Sequence, residues 1–184
     1  MIQETKEQNI TNLKSLKLST ENLISFLNVI TFITTSLIIF GIFCLGFFVA
    51  PIIFTDISPR PLASEVMTNI FLKYYPFAFV CSLIALGSDS IRFFIDTKLN
   101  KKSKLLILKL VCVAAVFVMT AYTDKKILPE INQMRLEQKG PTLWNNNDFI
   151  LLHKRSEQLG KLSFTVGLIP LIIMIVSKKS KKQN

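Results

Sequence analysis

Four runs of almost unbroken apolar residues divide this chain, with polar segments between them. They cover about Val29 to Ile53, Ile70 to Leu86, Leu105 to Tyr122 and Leu159 to Val176. Each falls in the range of ~17–25 residues that lets a helix cross a hydrocarbon core. Two neighbouring stretches have helical spacing with only one apolar face. Leu62, Val66, Met67 and Ile70 line up before the second run, and Ile127, Ile131 and Met134 line up after the third. Asp56-Ile57-Ser58-Pro59-Arg60-Pro61 carries turn and helix-start signals. Gly140-Pro141 predicts a helix stop, and Asn145-Asn146-Asn147-Asp148 offers N-cap side chains to the last helix.

The expected fold class is an all-α integral membrane protein: four transmembrane helices with short amphipathic interfacial helices. The pattern divides the chain into a polar N-terminal tail (1–22), a four-helix transmembrane domain (23–177) and a basic C-terminal tail (178–184). The N-terminal tail reads as a loose segment or a surface helix. The first run starts too far from Met1, and is too long, for a secretory signal. It ends Phe48-Val49-Ala50-Pro51 without a small-x-small cleavage site, so it reads as a retained span.

Composition sharpens this picture. Half of the 184 residues are hydrophobic, yet the formal net charge is +10. A soluble domain of this size could not easily bury so much apolar surface. The two properties coexist because lysines sit between and after the apolar runs, as membrane flanks do. Nucleic acid is not an expected partner, since the basic residues form short flanks with no Arg-rich patch, zinc pattern or helix-turn-helix pattern.

With four spans, both termini share a side with the second loop. That side holds twelve Lys and Arg, among them Arg92, Lys98, Lys101, Lys102 and Lys104, and the terminal lysines Lys178, Lys179, Lys181 and Lys182. The other side holds eight, spread over longer segments and nearly cancelled by seven acids. Short basic loops decide orientation, so both termini are expected in the cytoplasm. Richness in Lys, Asn and Ile fits an AT-rich genome and a bacterial inner membrane.

Candidate chemistry gathers at the opposite rim. His153 is the only histidine. It shares a helical face with Glu157, Gly160, Phe164 and Gly167, where the glycines admit a neighbouring helix. A carboxylate one turn away can orient an imidazole for metal binding or proton transfer. The plainer reading is an interfacial polar residue bonded to a loop. The topology brings Arg60, Glu65 and Arg135 to the same side, so the candidate polar site at the non-cytoplasmic rim is His153, Glu157, Glu65, Arg135 and Arg60. Glu65 or Arg135 is the expected partner of His153. No residue is assigned as catalytic or as a metal ligand, and no cofactor is expected.

Other polar positions have quieter readings. Thr31, Thr34, Thr35 and Ser36 can bond back to helix carbonyls. Asp89 and Arg92 form an i,i+3 pair able to neutralise itself. Lys109 and Lys161 lie close enough to span ends to snorkel, although each could mark a substrate path. Tyr74 and Tyr75 suit the headgroup level. Cys44, Cys81 and Cys112 lie at similar depths of three spans, where they are small apolar residues or soft ligands for an ion such as Cu(I). Pro51 and Pro170 would kink or end their helices. No P-loop, GxGxxG, HExxH, GxSxG or intramembrane aspartate pair is present, and neither is a duplicated half.

Four stretches in order resemble the transmembrane protein 205-like family, a four-helix membrane group defined by a domain of unknown function. Gly46-Phe47-Phe48-Val49-Ala50-Pro51-Ile52-Ile53-Phe54 resembles its Gly…Ala-Pro-x-x-Phe end of the first helix. Ala63-Ser64-Glu65-Val66 with Ile70-Phe71 and Tyr74-Tyr75 is similar to its Ala-Gly…Phe-x-x-Tyr-Tyr segment. Pro129-Glu130-Ile131 with Met134-Arg135, and Phe149 with Leu152-His153 and Ser156, resemble its Pro-x-Ile-x-x-x-Arg and Phe-x-x-Leu-His-x-x-Ser segments. Ser64 stands where the family usually has glycine. The likeness spans roughly Phe40 to Val176 and implies the four-helix fold, with no defined activity.

The functional expectation is a polytopic, non-enzymatic membrane protein of undefined biochemical activity. Its partners would be the lipid bilayer and other membrane proteins or further copies of itself. The alternative is a small membrane transporter or binding protein for a metal ion or haem.

Overall fold

A computed structural model of the chain describes residues 2–99, 104–137 and 146–180, and every described segment of ten or more residues is helical. Helix α1 (Ile2–Cys44) passes through a wide π-turn (Leu45–Val49) into α2 (Ala50–Asp56). After a short bend come α3 (Arg60–Lys98) and α4 (Lys104–Tyr122). A second π-turn (Thr123–Ile127) leads into α5 (Leu128–Glu137), and α6 (Asn147–Ser180) closes the chain. Four stretches, Leu18–Asp56, Pro61–Lys98, Lys104–Glu137 and Asn147–Ser177, are long and apolar enough to cross a membrane. The polar N-terminal stretch forms the first turns of α1. Both amphipathic segments expected at the interface are present and continuous with the spans they adjoin. The expected helix stop at Gly140-Pro141, and Asn145, lie outside the described residues.

The starts and stops follow local chemistry. Pro59 is extended, and its carbonyl accepts from the Leu62 N–H at 2.9 Å, opening α3 with Pro61 in its first turn. The Asn146 side chain accepts from the Asp148 and Phe149 N–H groups at 2.9 and 3.3 Å, capping α6. Pro51 does not end the first helix and Pro170 does not end α6. Pro51 is instead preceded by the π-turn, in which the Ala50 N–H bonds to the Leu45 carbonyl. Pro129 is preceded in the same way, with the Leu128 N–H bonded to Thr123. A proline ring clashes with the carbonyl four residues back, and a widened turn relieves that clash without breaking the helix.

The spanning helices form a ring in which α1 packs on α3, α3 on α4, α4 on α6, and α6 on α1. The centre holds Ile38, Ala78, Cys81, Val116 and Met119, with Tyr74 packed against them. A second cluster of Ile127, Ile131 and Phe149 fastens α5 beneath the start of α6, and a third of Ile53, Ala63 and Met67 fastens α2 to α3. The outer surface is apolar. Phe26, Phe40, Phe47, Phe94, Val111, Val118 and Ile172 are all more than half exposed, as residues facing lipid are. The molecule is a multi-pass membrane protein.

Tyr74 and Tyr75 turn inward, into the bundle. Tyr75 is 6% exposed, and the Tyr74 hydroxyl donates to the Ile38 carbonyl of α1 at 2.6 Å. An inward tyrosine needs a partner for its hydroxyl, and the α1 backbone supplies it for Tyr74.

Candidate functional site

A cavity of about 540 Å³ opens between the α1–α2 end, the start of α3 and the start of α6, and is floored by Leu128 and Ile131 of α5. One wall is aromatic. Phe43 stacks on Phe47 with centroids 4.8 Å apart and on Phe164 of α6 at 6.1 Å, while Phe54 and Phe71 complete the surface. The other wall is polar, with Tyr75 from α3 and His153, Ser156, Glu157 and Lys161 from α6. Phe47, Phe54 and Lys161 are exposed, so the mouth lies on the outer face of the bundle.

Two groups on the polar wall are uncommitted. The His153 ring stacks on Phe149, centroids 6.2 Å apart and 14° between planes. Its nitrogens make no hydrogen bond among the described residues. The Tyr75 hydroxyl lies close to Gly160 and also has no hydrogen bond among the described residues. Glu157 is committed, accepting from Lys161 Nζ at 2.6 Å, one turn on along an exposed face. Glu65 and Arg135 come together beside the cavity, with Arg135 Nη2 3.8 Å from Glu65 Oε1. Arg135 is mostly buried, and its Nη1 has no hydrogen-bond partner.

A second polar assembly lies at the opposite end of the bundle, inside it. Lys109 Nζ of α4 is 2.6 Å from Asp89 Oδ1 of α3, and each side chain is only 1% exposed. The Thr31 hydroxyl of α1 is 3.1 Å from the same oxygen and 3.0 Å from the Leu27 carbonyl. Arg92 Nη1 donates to Asn28 Oδ1, which Lys109 Nζ also reaches at 3.4 Å. Arg92 Nε faces Asp96 Oδ2 at 3.4 Å. One polar junction therefore ties α1, α3 and α4 together. Charges taken out of water at membrane depth survive only when paired and hydrogen-bonded.

The segment from α1 to α5 that frames both assemblies also carries the match to known proteins. A family model described as a domain of unknown function (DUF4149) matches residues 33–140, more than half of the chain. The chain belongs to the DUF4149 family. No curated protein and no solved structure matches it. The DUF4149 segment includes Asp89, Lys109, Glu65, Arg135 and both cavity tyrosines, and it ends before α6 with His153 and Glu157.

Within this DUF4149 chain, His153 and Glu157 share the cavity wall, and Glu65 and Arg135 pair next to it. Among the described residues, no hydrogen bond joins His153 to Glu65 or Arg135. The Arg60 side chain lies outside the described residues. Lys161 is exposed and pairs with Glu157 one turn back.

Lys109 does not snorkel. It turns inward because Asp89 and Asn28 give its ammonium oxygen partners that the headgroup region would otherwise supply. Asp89 is consequently not neutralised by Arg92, which turns to Asn28 and Asp96. Cys81 and Cys112 are buried and all three cysteines are free thiols. Gly167 permits the close approach expected of it, since an added Cβ would run into Ile39 of α1. At Gly160 an added Cβ would meet only the Tyr75 hydroxyl, at 3.8 Å. Sequence reasoning missed the Asp89–Lys109 junction. Its one available signal was that Asn28, Thr31, Asp89, Arg92, Asp96 and Lys109 occupy the same end of three successive spans.

Proposed function

We propose that this DUF4149 protein is a non-enzymatic binding protein for a membrane-dissolved amphiphile, a molecule with a flat or chain-like apolar body and a small polar group. The observation that carries the reading is the cavity's division into an aromatic wall and a polar wall with two uncommitted groups, His153 and Tyr75. Its volume falls within the ~300–1,000 Å³ usual for small-molecule sites. The aromatic file Phe43, Phe47 and Phe164 would hold the apolar body, while His153 and Tyr75 would hydrogen-bond the polar group.

The likeness of Gly46 to Phe54 and of Tyr74-Tyr75 to transmembrane protein 205-like proteins supports placing this chain with that group. The basic flanks support an orientation with both termini in the cytoplasm, which puts the cavity on the far side. A metal ion or haem is the second reading, and only His153 favours it, through its uncommitted imidazole.

The test is native mass spectrometry of the protein released from membranes. The reading expects an adduct of fixed mass on the wild type. Gly46→Trp fills the cavity from a position whose added Cβ meets nothing within 4 Å. It should lose the adduct and still fold. An adduct retained in Gly46→Trp, or none in the wild type, would remove the proposal.

A further inference from the structure

The Asp89–Lys109 junction lies away from the cavity, and its hydrogen bonds are distributed unevenly. Asp89 Oδ1 takes both the Lys109 ammonium and the Thr31 hydroxyl. Asp89 Oδ2 is equally buried and has no hydrogen-bond partner. A buried carboxylate oxygen without a donor is costly, and such atoms in folded proteins are met by water or by a proton.

Charged side chains lead away from Asp89 toward one end of the bundle only. Asp89, Arg92 and Asp96 follow one another along one face of α3 toward Lys98. Side-chain exposure along that face is 1% at Asp89, 20% at Arg92 and 11% at Asp96, so both outer residues are more open than Asp89. Arg92 Nε is a second buried atom there without a hydrogen-bond partner. In the other direction the interior closes on Ile38, Ala78, Cys81, Val116 and Met119. The charged residues therefore run from Asp89 toward the Lys98–Lys104 end, and beyond Asp89 the interior holds uncharged polar groups such as Thr35, Ser82 and Thr120.

We propose that Asp89 is an exchangeable proton site, reached by water from the Lys98–Lys104 end, and that its occupation weakens the hold on Lys109. A hydronium ion gives its proton to Oδ2. One O–H bond forms on Asp89, one breaks in the hydronium, and water leaves. Lys109 remains an ammonium ion, held by Asp89 Oδ1, now a neutral acceptor, and drawn toward Asn28 Oδ1, 3.4 Å away. The ion pair between α3 and α4 is lost at that moment, so the proton acts on helix packing.

The groups facing Asp89 are few. Helix α1 presents Asn28 and Thr31, which carry no charge, and α3 presents Arg92 with its counter-charge Asp96. Helix α4 presents Lys109. Helix α6 has no charged residue between Lys161 and Lys178.

The test is infrared difference spectroscopy of the full chain in lipid nanodiscs, between alkaline and acidic buffer. The wild type should gain a protonated-carboxyl band in acid that Asp89→Asn lacks. Lys109→Met removes the charge that favours the carboxylate, so the band should persist into less acidic buffer than in the wild type. An Asp89→Asn spectrum matching the wild type overturns the proposal, and so does a midpoint unmoved in Lys109→Met. Should Asp89→Asn fail to fold, Thr31→Val serves with the ion pair intact. Loss of the hydroxyl should carry the band to higher pH, and an unmoved midpoint there overturns the proposal too.

Discussion

The Tyr74 ring of α3 lies against the bare backbone of Gly41 in α1, and this contact lets the Tyr74 hydroxyl reach the Ile38 carbonyl. A methyl group at Gly41 would enter the space the ring occupies. Gly41→Ala should therefore destabilise the protein by about 1–3 kcal/mol, the usual cost of overpacking. Tyr74→Phe should cost less, about 0.5–1.5 kcal/mol for one hydrogen bond. Thermal unfolding in a single detergent checks both, and a Gly41→Ala midpoint equal to wild type would refute the contact.

The two glycines of α6 should behave differently. Gly167→Ala drives a methyl into Ile39 and should lower stability by about 1–3 kcal/mol. Gly160→Ala meets only ordinary van der Waals contact and should stay within about 0.5 kcal/mol of wild type. The same unfolding measurement decides, and a reversed order would mean that α1 and α6 are packed otherwise.

Lys109 and Lys161 offer a comparison of buried and exposed ion pairs. Lys109→Ala strands Asp89 and should cost about 3–5 kcal/mol. Lys161→Ala breaks an exposed pair and should cost no more than about 1 kcal/mol. The double variant Asp89→Asn/Lys109→Met leaves no uncompensated charge and should be more stable than Lys109→Ala. If the double variant is the least stable of the three, the pair is not what holds this end together.

Orientation can be read directly. Reporter domains fused after Asn184 and inserted within 138–147 should label opposite faces of the membrane, with the C-terminal one in the cytoplasm. Labelling on one common face would refute the four-span arrangement.

At the cavity, His153→Ala and Tyr75→Phe should each reduce the retained amphiphile more than Lys154→Ala, a neighbouring exposed change. Quantitative mass spectrometry of the purified variants measures this. Equal retention in all three would leave the polar wall without a role.

The four spans and the turns around Pro59 and Asn146 were legible in the sequence, because hydropathy and capping act over short distances. The cavity was partly legible, since His153, Glu157, Gly160 and Phe164 share a helical face whichever neighbour they meet. The charged junction was not. Lys109 lies near the end of its span, and its spacing fits snorkelling as well as inward pairing. Only the packing of α3 on α4 decides, by placing Asp89 opposite it. The inward turn of Tyr74 depends in the same way on Gly41, a residue 33 positions earlier whose role is to be small. Periodicity names the face of a helix, and it does not name the face's neighbour.

The π-turn before Pro51 has a consequence for what the cavity can recognise. The Gly46 carbonyl would take its hydrogen bond from Ala50 or from residue 51. Ala50 is already bonded to Leu45, and residue 51 is a proline with no N–H. Gly46 is among the residues that line the cavity, and its main-chain oxygen is left with no main-chain donor. This acceptor belongs to the backbone, so side-chain substitutions around the cavity leave it in place. Replacing Pro51 would restore an N–H to the turn and retire it. Selectivity for a hydroxyl or amine would then reside in the path of the chain and not in any one residue's side chain.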